Sequence, residues 1–150
     1  MRALQDEYGP NTICFGCGPA NVDGLRIKSF VEGDEVVAEF TPQEHHQAFP
    51  GVVNGGIIGA LFDCHMNWTA AHHLMGKADE LPVTVTAEYS VRLRRPTPAG
   101  TPLHLAARVV ESEGSRATVT ATMEAAGKVC AESTGVFVAV EEGHPAYHRW

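Results

Sequence analysis

The chain has 150 residues, of which 44% are hydrophobic and 19% are charged, and its formal net charge is -7. This length suits one domain or one subunit of an oligomer, and the composition is that of a globular protein that buries a core. The acidic balance disfavours nucleic acid as a partner. No apolar run is long enough to predict a membrane span, and the N-terminal segment does not resemble a signal peptide. We therefore expect a cytoplasmic protein.

The first half of the chain predicts a leader, two strands and one helix. Residues 1–24 are rich in Gly, Pro, Asn and Cys and predict a loop-like leader. Leu25–Val31 and Glu35–Phe40 predict two short strands joined by a tight Gly-Asp turn. From Ile57 to Met75, apolar residues recur at spacings of three and four. This spacing predicts a helix of about five turns, which a glycine at position 76 would end.

The second half predicts four long strands. The clearest is Pro82–Arg94, where apolar and polar residues alternate throughout. Short turns containing glycine separate three further predicted strands, Leu103–Glu111, Arg116–Ala125 and Val129–Val140. Consecutive strands joined by short turns form an antiparallel sheet, on which the single helix must bury its apolar face. The sequence thus predicts one α+β domain over residues 25–140, followed by a loose tail at 141–150.

Two glycines, Gly55 and Gly56, stand where the predicted helix begins. A structural interpretation is a turn that needs a positive φ angle. A functional interpretation is a backbone that approaches a ligand closely, because free amides at the start of a helix bind anions. The developing oxyanion of a thioester is one such anion, and both interpretations stay open.

Asp63 lies in the predicted helix on a stripe of small and polar residues, which are Gly56, Gly59, Ala60 and Asn67. Aspartate is a poor helix former in the middle of a helix, which indicates a specific role. Its carboxylate is either solvated or faces a cleft that a ligand enters. The pattern alone leaves both interpretations open.

Cys14 and Cys17 form a Cys-Phe-Gly-Cys segment, which has the spacing of half a zinc site. The other two cysteines fall in a predicted helix and a predicted strand and form no second pair. The adjacent His45 and His46 are candidates for the missing ligands. We favour the simpler interpretation, a structured turn with reduced thiols, so no metal is predicted.

Taken together, these residues resemble a known family. Residues 49–57, Phe-Pro-Gly-Val-Val-Asn-Gly-Gly-Ile, followed by Asp63, resemble the hotdog thioesterases of the phenylacetate-degradation and human thioesterase-superfamily type. Residues 14–21, with the Gly-Leu pair that follows them, resemble a leader common in that subgroup. Residues 89–96 resemble its basic strand end, which finishes in proline. The resemblance covers roughly residues 14–140.

The resemblance implies a hotdog fold, which is an antiparallel sheet of about five to six strands wrapped around one long helix. It also implies a homodimer formed by joining two sheets edge to edge, often paired again into a tetramer, with active sites at the dimer interface. The implied reaction is hydrolysis of an acyl-CoA thioester to the free acid and CoA. No cofactor is implied, since coenzyme A is part of the substrate.

The resemblance also assigns catalytic residues. The catalytic carboxylate falls on Asp63, acting as general base or as nucleophile. The glycine whose amide polarises the thioester carbonyl falls on Gly55, with Gly56 beside it, and a strand hydroxyl from the partner subunit falls on Thr86. The family usually has histidine before the two glycines, whereas this chain has Asn54. Asparagine forms hydrogen bonds but does not titrate, so we expect it to orient groups and not to transfer protons.

Substrate binding is expected at Asn67, beside Asp63, and at the basic run Arg92, Arg94 and Arg95, which would meet the phosphates of CoA. Two alternatives stay open. One is a hotdog dehydratase or hydratase that pairs a histidine with the helical carboxylate. The other is a non-catalytic acyl-thioester binding protein, which the asparagine before the two glycines favours.

Overall fold

The computed structural model describes all 150 residues as one large sheet, one long helix and a few short elements. The helices are α1 (Leu4–Tyr8) and α2 (Gly55–Met75), and a 3₁₀ turn spans Glu44–His46. The strands are β1 (Phe30–Glu32), β2 (Glu35–Phe40), β3 (Gln47–Phe49), β4 (Val52–Val53), β5 (Val83–Leu93), β6 (Leu103–Glu113), β7 (Arg116–Ala125) and β8 (Lys128–Val140). None of the helices combines the length and the apolar character needed to cross a membrane.

Six strands form one antiparallel sheet in the order β1-β2-β6-β7-β8-β5, and β3 pairs with β4 in a separate small hairpin. The main core lies between α2 and this sheet. Its largest fully buried apolar side chains are Trp68, Phe62, Phe137, Ile27, Leu61, Met66, Leu103, Leu105, Met123 and Val119. The predicted hotdog architecture, a six-stranded antiparallel sheet packed against one long helix, is therefore confirmed. The edges of the sheet are β1 and β5.

Helix α2 is buried on the side away from the sheet as well, because both ends of the chain pack there. The indole rings of Trp68 and Trp150 lie 4.5 Å apart between centroids. Arg149 Nη1 donates a hydrogen bond to the Thr84 carbonyl at 3.1 Å. The prediction of a loose tail is thus wrong for its last two residues, since the terminal tryptophan covers apolar helix surface that the sheet does not reach.

A buried polar network ties the leader to α2. Ser29 receives a hydrogen bond from Gln5 Nε2 at 2.9 Å and lies 2.8 Å from His65 Nδ1. His65 Nε2 lies 2.8 Å from the Val36 carbonyl. Because a carbonyl only accepts, Nε2 carries the proton and Nδ1 accepts from the Ser29 hydroxyl. Burial lowers the pKa of His65 to about 4, which keeps the ring neutral. The leader is therefore more than a loop, since Gln5 in α1 is part of the core.

The predicted strand Leu25–Val31 is mostly not a strand, because regular pairing begins only at Phe30. The Leu25 amide donates to the Phe15 carbonyl at 2.8 Å, so this segment bonds to the leader and not to the sheet. Arg26 has a positive φ of 52°, which interrupts an extended backbone. Leu25 and Ile27 of this segment pack into the core without forming the hydrogen-bond ladder of a β-strand.

Strand β5 contains a β-bulge that reverses the alternation predicted for Pro82–Arg94. Its register with β8 shifts between Thr86 and Glu88, which leaves Ala87 as the extra residue. Thr86 faces α2 before the bulge, and Tyr89 faces α2 after it. An inserted residue moves all later side chains to the other face of a strand. The bulge therefore brings both a threonine and a tyrosine to the helix.

Candidate active site

Asp63 lies on α2 and faces β5. Thr86 Oγ1 donates a hydrogen bond to Asp63 Oδ1 at 2.6 Å, whereas Oδ2 has no hydrogen-bond partner in the chain. Burial raises the pKa of this carboxyl, and the Thr86 hydroxyl partly offsets that effect. A half-buried carboxylate with a raised pKa and one free oxygen is suited to accept a proton or to attack a carbonyl. The resemblance assigned Thr86 to the partner subunit, whereas here Thr86 bonds to Asp63 of its own chain.

Asn54 is the N-cap of α2. Its Oδ1 accepts hydrogen bonds from the amides of Gly56 at 2.7 Å and Ile57 at 3.2 Å, and its own amide donates to the His46 carbonyl at 2.9 Å. The first four amides of a helix, counted from the N-cap, lack partners within the helix. Three of the four are satisfied here, so the exposed Gly55 amide is the one left free for an anion.

The two glycines have different roles, neither of which is a positive φ angle. A Cβ at Gly56 would lie 2.9 Å from Asn54 Oδ1, so glycine there makes room for the cap. Its amide is already bonded to that oxygen, which removes Gly56 from the predicted anion donors. A Cβ at Gly55 would meet only Leu93 Cδ1, at 3.8 Å. The backbone at Gly55 is thus open to a ligand.

The cap predicts how stability responds to substitution of Asn54. Asn54→Ala removes two hydrogen bonds to the helix start and should lower the free energy of unfolding by about 1 kcal/mol. Asn54→Ser is the matched control, because serine also caps helices and should lose clearly less. Urea unfolding of both variants measures the difference. An alanine variant as stable as the wild type would show that the cap does not hold this helix start.

One chain does not bring Gly55 and Asp63 together. They are eight residues apart on α2, which is about 12 Å along the axis at roughly 1.5 Å per residue. An oxyanion donor acts at about 3 Å, and so does a general base. The free amide and the carboxylate of one protomer therefore do not reach the same thioester carbonyl.

Asn67 is not available to a substrate, which makes this prediction wrong. The residue is 4% exposed. Its Oδ1 accepts a hydrogen bond from Thr84 Oγ1 at 2.6 Å, and its Nδ2 donates to the Thr84 carbonyl at 3.4 Å. Both ends of the amide are thus used to fasten α2 to β5.

The basic run lies exposed at the end of β5 and just beyond it. Arg94 donates from Nε and Nη2 to Glu132 Oε2 at 3.1 and 2.9 Å, which partly neutralises its charge. Arg92 and Arg95 form no salt bridge in the chain. These two remain the stronger candidates for contacts with phosphate.

Three groups near Asp63 were not predicted from the sequence as neighbours of this carboxylate. The Tyr89 hydroxyl lies over α2, 3.2 Å from where a Cβ at Gly59 would be. Burial and the nearby Asp63 charge raise the pKa of Tyr89. The charge of Arg149 lowers the pKa of Asp63, while a Cys14 thiolate raises it. Tyr89 was missed because the bulge moves it to the face of β5 opposite to the one that the alternation predicts. No local sequence pattern links Arg149 or Cys14 to the helix.

The sulfur atoms of Cys14, Cys17 and Cys64 all lie within 4.8 Å of one another. Hydrogen bonds from the Cys17 and Cys64 thiols hold the pKa of Cys14 well below its usual range. The bond to Cys14 raises the pKa of Cys17 to about 11, and that of Cys64 is also well above its usual value. His45 and His46 are not in this group. The third thiol was missed because it comes from the middle of α2.

Comparison with known proteins identifies the family of this chain. The family model of the thioesterase superfamily matches residues 50–132, more than half of the chain. The chain belongs to the thioesterase superfamily. Membership supports thioester hydrolysis as the general class of reaction. The matched residues include the segment that holds Gly55, Asp63 and Thr86. No curated protein gives a significant sequence match.

Solved structures of this superfamily share the fold. A thioesterase superfamily protein from Shewanella loihica is 30% identical, with 82% of this chain and 98% of that chain covered and a TM-score of 0.68. A putative thioesterase related to phenylacetic acid degradation from Ralstonia eutropha is 18% identical, with 82% and 92% covered and a TM-score of 0.69. The PaaI protein of the phenylacetic acid degradation operon of E. coli is 16% identical, with 78% and 81% covered and a TM-score of 0.67. The last two show likeness of fold, and the predicted resemblance to hotdog thioesterases is confirmed.

Proposed function

We propose that this member of the superfamily hydrolyses an acyl-CoA thioester to the free acid and CoA. The observation that carries the proposal is the half-buried Asp63 carboxylate, which Thr86 holds at 2.6 Å through one oxygen while the other stays free. The exposed Arg92 and Arg95 supply positive charge for the phosphates of CoA.

The proposed chemistry uses water, the thioester and these side chains alone. Asp63 either accepts a proton from the attacking water or attacks the carbonyl itself, giving an anhydride that water then cleaves. As the new C–O bond forms, the Gly55 amide stabilises the oxyanion, and one such donor is worth about 3 kcal/mol. The C–S bond then breaks, and CoA leaves as a thiolate that takes up the proton.

A second copy of the chain supplies the missing part of the site. Gly55 lies over Leu93 of β5, and Asp63 lies over Thr86 of the same strand. If β5 pairs antiparallel with its own copy about an axis midway between these two strand residues, Leu93 of one strand falls opposite Thr86 of the other. The free Gly55 amide of one protomer then approaches the partner's Asp63.

The exposed edge of β5 predicts a dimer. An unpaired strand of 11 residues at a sheet edge tends to pair with another strand. Leu93 and Tyr89 on this strand are 59% and 41% exposed, which is unusual for large apolar side chains unless a partner covers them. Light scattering should therefore give at least twice the 16.1 kDa of one chain.

Charge substitutions test this interface. Leu93→Glu should shift the protein toward monomer and reduce thioester hydrolysis with it. Val22→Glu is the matched control, since Val22 is 73% exposed in the leader and far from β5 in sequence. A wild-type monomer that is fully active at assay concentration would contradict the shared site.

A panel of acyl-CoA esters, monitored with a thiol-reactive dye, tests the reaction itself. Release of CoA supports the proposal. Hydration of an enoyl thioester without thiol release would favour a hydratase, and tight binding without either reaction would favour a binding protein. Asn54 no longer supports the binding protein specifically, because as an N-cap it leaves the Gly55 amide free.

A further inference from the structure

A group of three cysteines beside the active site has the dimensions of a metal site. The Cys14 and Cys64 sulfur atoms are 3.7 Å apart, and Cys17 completes a triangle with all separations within 4.8 Å. In a tetrahedral zinc site with Zn–S bonds of about 2.3 Å, neighbouring sulfur atoms lie about 3.8 Å apart. A disulfide needs about 2.05 Å. The spacing therefore matches three ligands of one ion, and all four cysteines of the chain are free thiols.

The turn between Cys14 and Cys17 is shaped around the third sulfur. A Cβ at Gly16 would lie 2.3 Å from Cys64 Sγ, so only glycine lets that sulfur reach the turn. The Gly18 amide donates to the Cys14 carbonyl at 2.8 Å and closes the turn. The local backbone thus holds the thiols of Cys14 and Cys17 beside Cys64 of α2, which lies 50 positions after Cys14 in the chain.

A buried donor without a hydrogen-bond partner lies beside this group. The indole nitrogen of Trp68 is fully buried and has no conventional hydrogen-bond partner. The indole lies near Cys17, where it lowers the pKa of that thiol and so favours the thiolate. Buried N–H groups without an acceptor are rare and costly. A metal-bound thiolate is a much stronger acceptor than a neutral thiol, so ligation of Cys17 would satisfy this donor.

The fourth side of the group faces a cavity of about 490 Å³. Its lining residues are Asn11, Thr12, Ile13, Cys14, Cys17, His148, Arg149 and Trp150. His148 is the imidazole in this lining. It forms no hydrogen bond in the chain, and its ring nitrogens lie outside the group of three sulfur atoms. Arg149 places a positive charge beside a site that three thiolates and one divalent ion would leave with a net charge of -1.

We propose that Cys14, Cys17 and Cys64 bind one zinc ion, and that His148 turns in from the lining of the adjoining cavity as the fourth ligand. Thiolate sulfur and imidazole nitrogen are the ligands zinc prefers, and four of them complete its tetrahedron. The ion fastens the leader and the tail to the middle of α2, next to Asp63. Its role is structural, because a closed four-ligand site leaves no position for water.

Metal content and cobalt spectroscopy test the site on untagged, reduced protein. We expect about one zinc ion per chain, and cobalt(II) added to the metal-free protein should give sulfur-to-metal charge-transfer bands and the intense visible bands of a tetrahedral site. Cys14→Ser should lose most of the charge-transfer intensity and bind zinc at least tenfold more weakly. Cys130→Ser is the matched control, since this buried cysteine on β8 lies outside the group and should leave metal binding unchanged.

Further outcomes decide against parts of the proposal or all of it. Folded, reduced wild type that takes up neither zinc nor cobalt overturns it, even if an oxidant then joins two of the three thiols. Metal binding that survives Cys14→Ser unchanged overturns it as well. His148→Ala should weaken zinc binding at least tenfold while keeping the charge-transfer bands, and an unchanged affinity would remove His148 from the ligand set. Circular dichroism of each variant shows whether the fold is retained.

Discussion

Asp63→Asn is expected to lower turnover by about a hundredfold or more, the usual scale for a lost general base or nucleophile. Asparagine has nearly the same shape, and its side-chain oxygen still accepts the hydrogen bond that Thr86 donates at 2.6 Å. The fold should therefore be preserved while the basic oxygen is lost. Steady-state CoA release, with unfolding measured in parallel, separates loss of chemistry from loss of structure.

Two companion variants sharpen this experiment. Glu88→Gln removes an exposed carboxylate from the same strand and should leave turnover near normal. Thr86→Val keeps the size of the side chain but removes the hydroxyl that orients Asp63, so it should lower kcat less than the loss of Asp63 does. An Asp63→Asn protein with near-normal turnover would remove this carboxylate from the mechanism.

Gly55→Pro is expected to lower kcat by about a hundredfold to a thousandfold, because it removes the one free amide at the start of α2. Proline is well tolerated at the first position of a helix, where its missing N–H is not needed for the helix itself. The preceding residue, Asn54, has φ -62° and ψ 136°, which is the conformation that proline favours in its neighbour. The substitution is therefore expected to remove a donor and preserve the helix.

Gly55→Ala is the matched control, since alanine keeps the amide and its Cβ has room, with Leu93 Cδ1 at 3.8 Å. It should stay within a few-fold of wild type. If the proline and alanine variants lose activity equally, the backbone donor is not what matters at this position.

A hybrid dimer of these two variants tests whether the site is shared. One protomer carries Gly55→Pro and the other carries Asp63→Asn, and two different affinity tags allow its isolation. If each site takes Gly55 from one protomer and Asp63 from its partner, one of the two sites is fully intact, and the hybrid recovers about half of the wild-type activity. If each site lies within one chain, both sites are defective and the hybrid stays inactive.

The sequence by itself determined the order of the main elements and pointed to the residues of the candidate site. The spacing of apolar residues placed α2 within two residues of its observed bounds, and the long strands were equally clear. These signals are local, because periodicity within one element dictates which face it buries. The resemblance added Asp63, Gly55 and Thr86 on the strength of short motifs.

Other features depend on contacts between residues distant in sequence, which the local pattern does not contain. The bulge at Ala87 moves Tyr89 to the side of β5 on which Thr86 bonds to Asp63. The packing of Cys64 against the leader depends equally on the folded chain. The role of Asn54 as an N-cap is likewise visible only in the folded chain, where the cap leaves the Gly55 amide of α2 free. Sequence determines periodicity along an element, whereas register shifts and meetings between segments are set by how the elements pack together.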